Sequence, residues 1–326
     1  MPRTGSSLAR LQQAVAVLQA AAAAATVATL WPLHPVWALV GGVAVAGSHA
    51  LILGLEFILL AGVARADAVP LAPARVLLRA WVAETLQAWR VFLWRQPFRW
   101  RVATDVPGLG IDPGRCGVVL VHGFVCNRGF WTPWLERLRA DGRPVVAVNL
   151  EPVFGSIDAY VYAVEAAVEQ VRGGTDRPVV LVCHSMGGLV ARAWWPRASG
   201  RVARVVTLGS PHAGTWLARF SMAPNARQMR QGSAWLAALA AAWTPEAARH
   251  FICWYSDADN IVMPPSTAML AGADNRLASG AAHVDLAFQP AVMEATLALV
   301  RALDAPHGPV ADHSPGANSG KARRRS

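Results

Sequence analysis

The residues of this chain best suited to chemistry centre on Ser185, within the stretch 179–190, VVLVCHSMGGLV. A serine hydroxyl attacks a carbonyl carbon only when a base takes its proton, a partner steadies that base, and donors receive the charge that develops on the carbonyl oxygen. Such a serine must also stand clear of its neighbours. Residues 179–183 form an apolar run short enough for a buried strand, followed without a linker by His184-Ser185-Met186-Gly187-Gly188 and then by 189–195, of helical composition. Strand, sharp turn and helix in direct succession force the serine into a cramped backbone conformation that presents its hydroxyl. The small residues after it let helix and strand approach closely.

A repeating pattern surrounds this turn. Apolar strands at 117–121, 145–150, 202–208 and 251–255 alternate with helical segments at 131–140, 157–172 and 290–303. This is the order of a mostly parallel sheet with crossover helices on both faces. Segment 216–250, rich in Ala and Trp, interrupts the alternation. Polar groups collect where strands end: His122-Gly123-Phe124 after the first, Ser210-Pro211-His212 after 202–208, and Ser256-Asp257-Ala258-Asp259-Asn260-Ile261-Val262 after 251–255. Ala282-His283-Val284-Asp285-Leu286 precedes the last helix.

Taken in that order, these motifs resemble bacterial triacylglycerol lipases and esterases of the α/β-hydrolase superfamily, over about residues 115–303. The resemblance implies the α/β-hydrolase fold with a helical cap at about 216–250, and a carboxylic ester hydrolase working through an acyl-enzyme. It assigns Ser185 as nucleophile, His283 as base, Asp259 as the acid that orients the base, and the backbone N–H groups of Phe124 and Met186 as oxyanion donors. The family's Gly-x-Ser-x-Gly carries Cys183 in place of its first glycine. His212 precedes the acid in chain order and is assigned to the turn; Asp259 is preferred to Asp257, and Asp285 is read as structural. No metal or cofactor is required. An acyltransferase or thioesterase would use the same site, and a non-catalytic membrane-anchored interaction module on a hydrolase fold is the reading from another class.

The rest of the chain points to a membrane. Of 326 residues, 54% are hydrophobic, and the excess lies before residue 64. Segment 11–30 is long enough to span a bilayer, and a second apolar stretch, 36–64, follows the turn Trp31-Pro32-Leu33-His34-Pro35. A cleaved signal peptide has the ingredients of the first segment; the second favours a transmembrane hairpin. Arg3 and Arg10 precede it, Arg65, Arg75, Arg79, Arg90, Arg95, Arg99 and Arg101 follow it, and the turn has none, which puts both ends in the cytoplasm, at a bacterial inner membrane. A periplasmic or secreted enzyme is the alternative if the first segment is cleaved. Glu56 and His49, inside the second span, are read as helix pairing or snorkelling. Segment 73–95 puts Leu77, Leu78, Trp81, Val82, Trp89, Phe92 and Leu93 on one helical face and Arg75, Arg79 and Arg90 on the other. That pattern suits a helix lying in the membrane interface or one packed on the hydrolase core.

Residues 102–114 read as the boundary of the catalytic domain, and 305–326 as a disordered basic tail. The net charge of +10 comes without a nucleic-acid module, so anionic lipid is the expected partner. Cys116, Cys126, Cys183 and Cys253 lack metal-ligand spacing and are expected to be free buried thiols, with Cys116 to Cys126 the one plausible bridge.

Overall fold

The computed structural model describes residues 6–108, 113–198 and 200–304. Four helices come first: α1 (Ser7–Leu30), α2 (Pro35–Ala46), α3 (Ser48–Val63) and α4 (Ala74–Ala88). The hydroxyl of Ser6 caps α1 by accepting from Ala9 N at 3.2 Å. α2 turns back along α1, and Gln19 Nε2 donates to Ala46 O at 2.9 Å. The contact depends on small residues: a Cβ on Gly42 would lie 2.4 Å from Val27 Cγ2.

The expected single span over 36–64 is broken. Gly47 separates α2 from α3 with a bend of 58°, and the two pieces, 12 and 16 residues long, each fall short of the ~20 residues a bilayer requires. Among the described helices α1 is by itself long and apolar enough to cross a membrane, and α2 with α3 is so only as one bent span.

The C-terminal part of α3 leaves α2 and packs on the following domain. Phe57, Leu60 and Ala64 form one cluster with Ala80 of α4 and with Ala258, Met263 and Ala282. α4 also departs from expectation. It gives way at Trp89 to a π-helical stretch, Trp89–Arg95, and the stripe it buries is Ala80, Glu84 and Ala88. Those residues recur every four positions and so share a face. The apolar face foreseen from the sequence is split: Leu77, Trp81 and Phe92 pack against the buried clusters, whereas Leu78, Val82 and Trp89 are exposed, as is Leu86. Small side chains allow the close approach, and of the large ones Trp81 also bridges to α3, its Nε1 donating to Ala50 O at 2.8 Å.

The remaining chain forms a six-stranded sheet. Its strands are β1 (Val118–Val121), β2 (Val145–Ala147), β3 (Val179–His184), β4 (Val202–Leu208), β5 (Phe251–Tyr255) and β6 (Asp274–Leu277), all paired in parallel in the order β2-β1-β3-β4-β5-β6. β6 was not foreseen because, as a polar edge strand, it carries no apolar alternation. Helices α5 (Thr132–Ala140), α6 (Ile157–Arg172), α7 (Met186–Trp194), α8 (Ala234–Ala241) and α9 (Pro290–Ala302) complete the fold.

Alternate residues of each strand face opposite cores. Val119, Val121, Leu181 and Cys183 join α6 and α7, whereas Val118, Leu120, Val180 and Val182 join α5 and α9. Strand order reverses between β1 and β3, and the crevice beyond the carboxyl ends at such a reversal is where open α/β sheets bind ligands. Segment 216–250 folds as short helices around α8, with Met229, Trp235, Leu236 and Trp243 packed on the α6/α7 side. Gln228 Oε1 accepts from Ile157 N at 2.8 Å, and so ties this segment to the start of α6. The four cysteines are free and buried. The tail at 305–326 lies outside the described residues.

Candidate active site

Ser185 stands between β3 and α7 at φ 53° and ψ −126°. A non-glycine residue there is strained, and the surroundings must impose the conformation. Ser185 N donates to Leu208 O at 2.9 Å, which extends the β3–β4 ladder into the turn. The glycines that follow are required by contact: a Cβ on Gly187 would lie 2.4 Å from Val121 O, and one on Gly188 would lie 2.2 Å from Ser210 Oγ. Cys183 sits two residues earlier in β3 with its side chain in the core, so the absence of a glycine there is accommodated.

Three distant segments meet at this hydroxyl. His283 Nε2 lies 3.0 Å from Ser185 Oγ, and His283 Nδ1 lies 2.9 Å from Asp259 Oδ2. The network fixes the tautomer, with Nδ1–H donating to the carboxylate and Nε2 accepting from the serine hydroxyl. Asp259 is itself held, because its Oδ1 accepts from Ile261 N at 2.9 Å and Val262 N at 2.8 Å. All three residues are buried. Burial alone pulls the imidazole of His283 toward the neutral form. The charge of Asp259 and its hydrogen bond outweigh that, with help from Glu84 and Glu56, and leave His283 above the ordinary histidine range.

The other motif residues take different places. His122, at the end of β1, uses both ring nitrogens on backbone: Nδ1 lies 2.9 Å from Gly123 O, and Nε2 accepts from Leu150 N at 3.1 Å. Burial drives it down to about 4, so it is neutral. Gly123 O and Phe124 N belong to one rigid peptide plane, so this contact fixes the direction of the Phe124 N–H. Val125, next along, shares φ 53° with Ser185, and these two are the non-glycine residues at positive φ among the described residues. A β-branched side chain there marks real strain, placed where the loop after β1 passes the serine. Met186 opens α7, where N–H groups lack helical acceptors and partial positive charge collects.

His212 is not part of the serine cluster. Its Nε2 lies 3.1 Å from Thr207 Oγ1, and its carbonyl accepts from Arg192 at 2.9 Å. Asp257 accepts from Ser279 Oγ and Gly280 N, both at 2.7 Å, and Asp285 accepts from Gln289.

Four residues to which the sequence reading gave no place in the site surround His283. His184 Nε2 lies 3.1 Å from His283 O, with its ring stacked on Phe130. Asn260 Oδ1 accepts from His283 N at 3.1 Å. Asn260 Nδ2 donates to Glu56 Oε2 at 2.6 Å, and Glu84 accepts from Val284 N and Asp285 N. Adjacency to the motifs was the available signal for His184 and Asn260. Glu56 was marked only as a charge inside an apolar span and Glu84 not at all, because their partners lie about 200 positions away.

A parallel sheet with this turn at its strand reversal defines a class, and the chain belongs to the alpha/beta hydrolase family, whose model matches residues 118–317. Among solved structures it resembles the lipase BlEst2 of Bacillus licheniformis in its mature form, at 17% identity and a TM-score of 0.51, over 60% of this chain and 96% of that one. It also resembles lipase B of Aspergillus fumigatus, at 19% identity and a TM-score of 0.50, over 60% of this chain and 55% of that one. At these identities the likeness is one of fold.

Proposed function

We propose that this protein is a membrane-anchored serine hydrolase that cleaves carboxylic esters of lipid-like acyl compounds. The observation that carries the reading is the continuous line of hydrogen bonds from Ser185 Oγ through His283 to Asp259. The two fold neighbours described above are lipases, which supports the choice of an ester over other acyl substrates.

In this mechanism His283 Nε2 takes the hydroxyl proton as Ser185 Oγ attacks the ester carbonyl. Asp259 holds the imidazole in the required tautomer and stabilises its cation. The N–H groups of Phe124 and Met186 receive the oxyanion. The tetrahedral adduct collapses to a Ser185 ester as His283 hands its proton to the leaving alkoxide, and water repeats the cycle to free the acid. The segment 216–250 serves as an apolar cap on the acyl side, with Phe220 and Met222 exposed on it.

A membrane-embedded helical pair at the N-terminus is part of the proposal. Gln13 Nε2 donates to Pro97 O at 2.6 Å near the start of α1, and the end of α3 packs on the hydrolase domain. With both ends against one body, the helices leave and return on the same side, which supports the arginine-based orientation toward the cytoplasm. An open apolar groove of about 540 Å³ between α3 and α4, lined by Leu51, Leu55, Ile58, Leu77, Leu78 and Trp81, suits a lipid environment.

The test is turnover of a chain-length series of nitrophenyl esters by the full-length protein in detergent. Wild type is expected to hydrolyse them, and Ser185→Ala to lose at least about 10³-fold in kcat. Equal turnover by the two proteins would refute the proposal. The anchor is checked separately: carbonate-washed membranes should retain the chain, and a chain released by that wash is not embedded.

A further inference from the structure

Two carboxylates from outside the sheet reach the catalytic histidine segment. His283–Leu286 is one helical turn, and its cap position, Ala282, offers no side-chain acceptor. The first N–H groups of a helical turn have no internal partners and need acceptors when buried. Here they are supplied from elsewhere. His283 N donates to Asn260 Oδ1 at 3.1 Å. Val284 N is shared by the two oxygens of Glu84 at 2.9 and 3.0 Å, and Asp285 N donates to Glu84 Oε2 at 2.9 Å. Asn260 is in turn fixed by Glu56, since its Nδ2 donates to Glu56 Oε2 at 2.6 Å. Glu84 belongs to α4 and Glu56 to α3.

We propose, resting on the serine-hydrolase reading above, that Glu84 and Glu56 are positioning residues for His283: Glu84 directly and Glu56 through Asn260 hold the backbone N–H groups of its turn, and both place negative charge beside the imidazolium formed during attack. A carboxylate is costly to bury, so an apolar helix keeps one only where its lone pairs are used. Glu84 is 1% exposed and spends its oxygens on the two residues after His283. The coupling is mutual: the charges of Glu84 and Glu56 raise His283, and the imidazolium favours ionised Glu84. The N-terminal helices are then part of the catalytic apparatus as well as an anchor. This accounts for a glutamate inside an apolar segment, where helix pairing or snorkelling was expected.

The experiment compares full-length wild type, Glu84→Gln and Glu56→Gln, following kcat, KM and the pH dependence of kcat on one nitrophenyl ester. The charged and titratable groups facing the imidazole are Asp259 from the loop after β5, Glu56 from α3, Glu84 from α4, His184 from β3 and Asp285 from its own turn. Of these, each variant replaces one ionisable carboxyl by a neutral amide of the same size. The expected result is a fall in kcat of at least about tenfold with KM nearly unchanged, because misplacing a reacting group costs turnover more than binding. The acid limb of the profile is expected to move to lower pH, because an imidazole with fewer anionic neighbours loses its proton more readily. An unchanged kcat, or a reduced kcat with the acid limb in place, overturns the proposal, since packing damage alone does not retune the imidazole. Should Glu84→Gln fail to fold, the acid limb of Glu56→Gln, on a separate helix, decides. A wild type without turnover would remove the hydrolase reading itself, whereas an active wild type with indifferent variants removes this inference alone.

Discussion

Gly123 lies against Ser185 so closely that a Cβ at position 123 would stand 2.7 Å from the serine Cβ. The carboxyl ends of β1 and β3 therefore meet without room for a methyl group, at the strand reversal where, in the proposed mechanism, the serine and the Phe124 peptide act on one substrate group. Gly123→Ala is expected to displace that peptide and lower kcat by about 10²-fold or more, the scale of losing one oxyanion donor. The comparison to make is with Gly142→Ala. That glycine sits at positive φ with nothing near its Cβ, so its replacement strains a surface turn and should cost stability without a comparable loss of kcat.

The pH dependence has a definite sign. In the proposed mechanism His283 acts only when neutral, so activity is expected to rise as pH climbs through its midpoint, which its anionic neighbours place above the ordinary value of 6.5. Asp259→Asn removes the largest of those charges and the acceptor for Nδ1–H. It is expected to lower kcat by about 10³- to 10⁴-fold and to shift any residual acid limb downward. A rate–pH profile of both proteins checks this.

Four buried thiols give a chemical test of the fold. Burial pushes Cys116, Cys126 and Cys253 up to about 12 and Cys183 higher still, and only thiolates react readily. Iodoacetamide at pH 8 should leave the folded protein unmodified and fully active, and should alkylate all four cysteines after denaturation. Rapid loss of activity in the folded state would show that Cys183, beside the elbow, is accessible.

Glu84 also bears on stability. Burial raises its carboxyl from 4.5 to about 7, so between those values the native state holds a proton that the unfolded chain has released. Stability from this group is thus full at low pH and is lost as pH rises through about 7. At about 1.4 kcal/mol per unit, the roughly two units of that interval above pH 5 amount to about 3 kcal/mol. Denaturant unfolding from pH 5 to pH 8 should show wild type losing stability relative to Glu84→Gln by about that amount. A difference independent of pH would contradict the buried, ionising carboxylate.

The sheet and the serine cluster were legible because each depends on local pattern. Val-rich runs such as 179–182 cannot avoid burial, and the turn after β3 needs its small residues within four positions. Asp259 and His283 could be placed because chain order limits the candidates, and the structure brings them to Ser185. Glu84 and Glu56 were not legible, since a carboxylate in an apolar helix looks the same whether it faces lipid or a backbone N–H far along the chain. The buried face of α4 was legible only in part, for a related reason. Hydrophobic periodicity locates the large side chains, whereas docking used the Ala80/Glu84/Ala88 stripe, where small residues permit contact. The Gly47 bend was missed because glycine is common in apolar helices and periodicity does not register a change of axis.

The central claim is that the hydroxyl of Ser185 is a nucleophile made reactive by His283. Its most direct measurement is labelling of the full-length protein by a fluorophosphonate, with the modified residue located by peptide mass spectrometry. Stoichiometric phosphonylation at Ser185, abolished in Ser185→Ala and strongly slowed in His283→Ala, is the predicted result. Absence of labelling in a folded wild type, or labelling that persists unchanged in His283→Ala, would contradict it.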